Sequence, residues 1–305
     1  VQYLLRIVHL PKFEEAKEYR MSKPEVSNAD GTLFVVSTPI GNLEDISLRA
    51  IDVLKRVDHI AAEDTRHSRR LLQHHGIHTP MLALHEHNER QALNGILDML
   101  TEGRSVALIS DAGTPLISDP GFPLVRACRE QGIAVSPVPG PSALIAALSV
   151  SGLPVDAFCF HGFLPRSSGA RKTRLAALKS AGITQVFYES SHRILYALQD
   201  MLEVLGSERE VCVARELTKQ YEEVLQGKLG DVLATVAGDP LHQRGEFVIV
   251  VAPASAATTE VLTSETQRIL GLLLEELPVK QAAALTAKIT GEKKNRLYRF
   301  ALGKA

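Results

Sequence analysis

Three short apolar runs in the first half of this chain each end in a turn crowded with glycine and proline, a pattern few folds accommodate. Thr32-Leu-Phe-Val-Val-Ser37 runs into Thr38-Pro-Ile-Gly-Asn42, Val106–Ile109 into Ser110-Asp-Ala-Gly-Thr-Pro115, and Val135–Val138 into Pro139-Gly-Pro-Ser-Ala143. Apolar runs of this length between turn residues read as buried strands. Further candidates at 58–62 and 81–85, with helical periodicity between them, give the alternation of an α/β sheet covered on both faces. Ligands of such sheets bind beyond the carboxyl ends of the strands, where glycine lets a bound molecule approach the backbone. None of the three loops is G-x-G-x-x-G and none carries a P-loop lysine, so dinucleotide and triphosphate sites are disfavoured.

The second half repeats the design. Strands are expected near 157–163, 184–189, 209–216, 222–228 and 246–252, with helices near 169–181 and 191–205. Ser151-Gly-Leu-Pro154 reads as the joint between an N-terminal α/β domain (31–150) and a C-terminal one (151–253). Pro253–Thr259 is a low-complexity linker, and Pro278 and Gly291 divide the remainder into helices at 265–277, 280–289 and 293–302, a module of residues 260–305. Residues 1–30 are expected to be a leader without a catalytic role, with Met21 opening a polar stretch.

Several stretches resemble a known family. Val36-Ser-Thr-Pro-Ile-Gly-Asn-Leu43, Ala62-Glu-Asp-Thr-Arg-His67, Ser110–Gly121 and Pro139–Ala143 look like motifs of the bacterial 16S ribosomal RNA ribose 2′-O-methyltransferases, within the tetrapyrrole methylase superfamily. Phe187-Tyr-Glu-Ser-Ser-His-Arg193, Ala214–Lys219 and Gly245–Val251 continue the match in order. The resemblance implies two α/β domains of the tetrapyrrole methylase (class III methyltransferase) type with a helix-turn-helix-like C-terminal module, a homodimer, and 2′-O-methylation of a cytidine in the decoding region. It also implies that S-adenosyl-L-methionine lies in a cleft between the α/β halves, lined by Pro39, Gly41, Asn42, Asp111, Ala112, Gly113, Thr114, Pro115, Ile117, Ser142 and Ala143.

A ribose hydroxyl is a poor nucleophile at neutral pH, so a base or a cation near the developing alkoxide is expected. Glu63, Asp64, Glu189, His192 and Lys219 are the candidates, with Glu63 and Glu189 first because both stand at strand ends. Asp64 or Thr65 also reads as a plain helix cap. His192 and Arg193 fall in a first helical turn, where cations oppose the macrodipole and ask for a compensating anion.

The formal net charge of −1 assigns any RNA affinity to local patches. Arg66 and Arg69 are phosphate candidates beside Glu63, as are Arg171, Lys172 and Arg193 in the second half. Residues 165–174 hold four basic residues and no acid, and residues 278–305 hold seven against one, including Lys293, Lys294 and Arg296. The expected partner is 16S ribosomal RNA or the small ribosomal subunit. Other readings are a methyltransferase acting on a tetrapyrrole precursor, which that distributed basic surface disfavours, and a non-enzymatic ribosome-assembly factor. Three widely spaced cysteines fit a reducing cytoplasm, and no apolar run approaches the ~18 residues of a membrane span. His74, His75, His78, His85 and His87 do not complete a metal-ligand motif, so no metal is expected.

Overall fold

The computed structural model describes residues 31–85, 88–254 and 262–303, which form two compact units. The leader, His87 and most of the 253–259 linker lie outside the described residues. Unit 1 comprises the described residues up to Pro39 and Leu43–Pro141. Its strands are β1 (Thr32–Val36), β2 (His59–Ala62), β3 (Met81–Ala83), β4 (Val106–Ile109) and β5 (Ala134–Val138), all parallel, in the order β3-β2-β4-β1-β5. Parallel neighbours need crossovers. Helices α1 (Leu48–Arg56), α2 (Thr65–His74), α3 (Glu89–Thr101) and α4 (Phe122–Glu130) intervene between the strands. Strand β4 shows why the run is apolar without alternation. Ala107 and Ile109 pack with Val36, Leu54 and Ile60, while Val106 and Leu108 pack with Leu33, Ala61 and Leu124 in a second core.

Unit 2 comprises Ile40–Asn42 and the described residues from Ser142 onward. After helix α5 (Ala143–Val150) come β6 (Phe158–Phe163), α6 (Ser168–Leu178), β7 (Thr184–Ser190), α7 (Ile194–Leu205), β8 (Glu210–Arg215), β9 (Glu223–Lys228), α8 (Leu229–Gly238) and β10 (Glu246–Val251). The sheet order is β6-β7-β10-β8-β9, parallel only between β6 and β7. Helix α8 follows β9 directly and was not expected; Leu229, Val232 and Val236 bury its apolar face in the core. All ten expected strands are present.

The expected joint at Ser151 is displaced. Leu144, Ala147 and Leu148 of α5 pack on Val186, Cys212, Val248 and Val250, so this helix belongs to unit 2 and the division falls between Pro141 and Ser142. At the C-terminus α9 (Ser264–Glu276), α10 (Val279–Thr290) and α11 (Lys294–Leu302) share a core of Leu262, Leu270, Ala282, Ala283, Leu297 and Ala301. Gly291, at φ +76°, ends α10 in the left-handed conformation that turns the chain into α11. No described helix is long and apolar enough to cross a membrane.

Candidate functional site

In unit 1 the loops after β1 and β4 are tied together just past the strand ends. Thr38 N donates to Gly113 O (2.8 Å), and Gly113 N returns to Thr38 O (3.0 Å). The Ser37 and Thr114 hydroxyls lie 2.9 Å apart, and Thr114 Oγ1 donates to Pro141 O at 3.1 Å. Gly113 has φ +81°, and Leu116 and Ser118 follow at +73° and +74°. The other described non-glycine residues with positive φ, Glu216 and Thr218, lie in the loop after β8. Such conformations cost about 1–3 kcal/mol each and persist where surrounding structure imposes them. Pro39 and Pro115 are buried, Asp111 and Thr114 half-buried, and Ala112 and Ile117 exposed.

Carboxylates gather at this edge. Asp64 N donates to Asp111 Oδ1 (3.1 Å), and Asp111 N lies 3.5 Å from Glu63 Oε2. Burial, then the carboxylates of Asp119 and Asp111, push Glu63 above the ordinary range. Asp119 is likewise raised, first by burial and also by Asp111, against a hydrogen bond from Ser110. Among the described residues no Lys, Arg or His lies within ion-pair distance of Glu63, Asp111 or Asp119. Asp64 is different. It caps α2 by accepting from Arg66 N (2.7 Å) and His67 N (3.4 Å), and those bonds hold its pKa down. Arg66 and Arg69 are exposed on α2. His75, a rejected metal candidate, places Nε2 3.2 Å from Leu43 O.

In unit 2 Glu189 ends β7 with its side chain fully buried. It accepts from Ser190 N (2.9 Å) and pairs with Arg193 at 3.2 Å, the anion expected at that helix start. Burial raises its pKa, against Ser190 N–H, Arg193 and Arg171. Arg171 departs from the expectation of an RNA contact. It is 4% exposed, and its Nη2 lies 2.5 Å from Asp200 Oδ2, beside a 2.7 Å bond from Nε. A guanidinium sealed in an ion pair offers no charge to a phosphate. Lys172 is half-buried and spans Glu203 (2.5 Å) and Asp200 (3.6 Å). Sequence reasoning missed Asp200. Its signal was an acid among Ala197, Leu198 and Met201 on the buried face of α7, a position that demands a cation.

Lys219 lies between Glu216 (2.8 Å) and Glu246 (2.9 Å). Burial alone lowers an ammonium pKa, but these two carboxylates outweigh it and raise that of Lys219, so the group holds its proton. Gly41 is required beside this loop because a Cβ there would lie 2.4 Å from Lys219 Cγ. Ser142 is the extended cap residue of α5, and Leu144 N finds its acceptor in Tyr188 Oη at 3.2 Å. Lys293, which caps α11, and Lys294 at its start are exposed, whereas Arg296 Nη1 is held by Glu292 at 2.9–3.0 Å. Gly41, Asn42, Ser142 and Ala143 thus belong to unit 2, while Pro39 and Asp111–Ile117 belong to unit 1.

The family model of tetrapyrrole (corrin/porphyrin) methylases matches residues 32–233. The chain belongs to the tetrapyrrole methylase family. Residues 260–305 of this tetrapyrrole methylase match the RsmI C-terminal HTH domain. It is 52% identical over 275 residues to ribosomal RNA small subunit methyltransferase I of Escherichia coli O157:H7, covering 90% of this chain and 96% of that protein. The Pseudomonas aeruginosa protein of the same name is 55% identical over 273 residues, 89% and 97% of the two chains. Among solved structures, a cobalt precorrin-4 methyltransferase matches with TM-score 0.55 at 15% identity, covering 72% of this chain and 94% of its own. A Thermus thermophilus uroporphyrin-III C-methyltransferase complexed with S-adenosyl homocysteine matches with TM-score 0.51 at 18% identity, covering 74% and 100%. These two share the tetrapyrrole methylase fold.

Proposed function

We propose that this chain is an S-adenosylmethionine-dependent methyltransferase that modifies the ribose 2′-hydroxyl of a cytidine in the decoding region of 16S ribosomal RNA. One observation carries the reading. A tetrapyrrole methylase region is joined to the helix-turn-helix module in a chain half identical, over nine tenths of its length, to curated small-subunit methyltransferases. Exposed Lys293 and Lys294 on that module suit phosphates, for which a macrocycle-modifying enzyme has no need.

The carboxyl edge of sheet 1 fits the cofactor. Gly113 presents backbone at positive φ, and the uncompensated carboxylates of Glu63, Asp111 and Asp119 suit a ligand carrying sulfonium and ammonium charges. When bound, S-adenosylmethionine supplies a methyl carbon already attached to its leaving group, leaving the protein alignment and proton handling. Glu63 takes the hydroxyl proton in this reading, because its raised pKa makes it a better acceptor than Asp64. Glu189 is occupied by Arg193 and anchors the start of α7. The enzyme acts in the cytoplasm as a homodimer, which light scattering checks. The reading is tested by incubating the protein with methyl-tritiated cofactor and small subunits lacking the modification. Tritium in RNA supports it; no incorporation, or label only in a corrin or porphyrin, rejects it.

A further inference from the structure

The end of β6 and the loop after β7 line an open pocket of about 590 Å³ within unit 2, and none of the chemistry assigned above uses it. Its walls include Phe163, Leu164, Pro165, Arg166, His192 and Arg193. Phe163 ends the edge strand β6 and is 53% exposed, and it meets Tyr188 edge-on with ring centroids 5.9 Å apart. The open ring lines the same pocket as Arg166 and His192.

The wall is built rigidly. Arg193 Nη2 donates to Leu164 O and to Pro165 O (3.3 Å), and Arg171 Nη1 donates to Pro165 O and Arg166 O, both 3.3 Å. Three consecutive carbonyls are therefore held by two guanidiniums, themselves fixed by Glu189 and Asp200. Arg193 Nε is buried without a hydrogen-bond partner, a donor left over after this bracing. Arg166 and His192 are exposed and have no ion-pair partner among the described residues. The pocket thus combines a stacking face, apolar walls and cationic donors on a loop that cannot relax away.

We infer that this pocket receives one unpaired nucleotide of the substrate RNA, its base against Phe163 and its phosphate on Arg166. The inference rests on the RNA reading above and extends it to a second nucleotide-recognition site. A volume of this size admits a nucleotide, and aromatic stacking beside guanidinium is how single-stranded RNA is held without base pairing.

The test uses the full-length protein, a short single-stranded RNA oligonucleotide spanning the target, and small subunits lacking the modification. Phe163→Ala is expected to weaken oligonucleotide binding roughly 5- to 150-fold and raise KM for the subunit, with cofactor affinity by calorimetry unchanged. Phe163→Trp restores binding, which a merely structural role for the ring does not predict. Arg166→Ala lowers the slope of log affinity against log salt by about 0.7. Wild-type methylation of RNA together with Phe163→Ala binding within twofold of wild type overturns the pocket assignment alone. Loss of cofactor affinity in Phe163→Ala also overturns it, by placing the cofactor there. A wild-type protein that neither binds nor methylates RNA overturns both readings.

Discussion

Replacing Asp200 by alanine isolates the role of the buried Arg171. In the native protein the two residues are 4% and 7% exposed and share bonds of 2.7 and 2.5 Å, while Ser168 Oγ donates to the second Asp200 oxygen at 2.9 Å. The substitution leaves a buried guanidinium with only the Pro165 and Arg166 carbonyls at 3.3 Å. Removing one partner of such a pair costs about 3–5 kcal/mol, because the remaining charge stays desolvated. Lys172, 3.6 Å from Asp200, gains nothing to offset the loss. At about 2–4 °C per kcal/mol, a unit of this size should melt roughly 6–20 °C earlier. Far-UV circular dichroism is the assay, since the chain has no tryptophan to report by fluorescence. The double variant Arg171→Leu with Asp200→Leu should recover much of the stability, because no buried charge is left unpaired. An Asp200→Ala protein within about 1 kcal/mol of wild type would refute the reasoning. So would a folded Arg171→Ala protein whose only defect is a salt slope of RNA binding lowered by about 0.7–0.9, the signature of a phosphate contact.

Burial holds the Glu63 carboxyl above the ordinary carboxylate range, so the stability it contributes is full below the ordinary value and is lost as pH rises through the raised one. Glu63→Gln should therefore raise the melting temperature of unit 1 at pH 8 relative to wild type and leave it nearly unchanged at pH 4; a destabilised variant at pH 8 contradicts this. If Glu63 also accepts the hydroxyl proton, the same variant should slow single-turnover methylation by roughly 10²–10⁴ with cofactor binding retained. Lys219 is held protonated by Glu216 and Glu246, so Lys219→Arg should methylate within a few-fold of wild type, whereas a hundred-fold loss would point to a neutral amine as base. Lys293→Ala with Lys294→Ala should flatten the salt dependence of RNA binding by about 0.7–0.9 per lost contact, and an unaltered slope would reduce α11 to a packing element.

Legibility in the sequence followed the range of the interactions. The strands of both sheets were readable because an apolar run between turn residues is a local signal, as at Val106–Ile109. The Ser47 and Asp64 caps are likewise set by residues two and three positions away. Helix α8 was missed because β9 passes into it with no intervening loop, Gly227 being the penultimate residue of the strand and Gly230 the second of the helix. The division before α5 was unreadable for a different reason. Its residues are apolar all round, so periodicity alone does not say which sheet they cover. Charge was the least legible property at the site. Arg171 and Arg166 stand in one basic stretch, yet Asp200, 29 positions from Arg171, buries one while the other stays exposed. The carboxylate cluster was half visible. Glu63 and Asp111 were singled out from their strand ends, but the influence of Asp119 on Glu63 depends on how the loop after β4 folds through Leu116 and Ser118.

The central claim is methylation of a ribose oxygen in small-subunit RNA, and the chemistry of the product tests it most directly. A 2′-O-methyl group removes the hydroxyl that attacks the neighbouring phosphodiester in alkali. Small subunits lacking the modification, treated with the protein and methyl-tritiated cofactor and then hydrolysed in alkali, should release the label in a dinucleotide whose 5′ member is cytidine. The same labelled dinucleotide should be absent from a control without the protein. Label recovered in mononucleotides, as methylation of a base would give, or no label in RNA at all, would contradict the account.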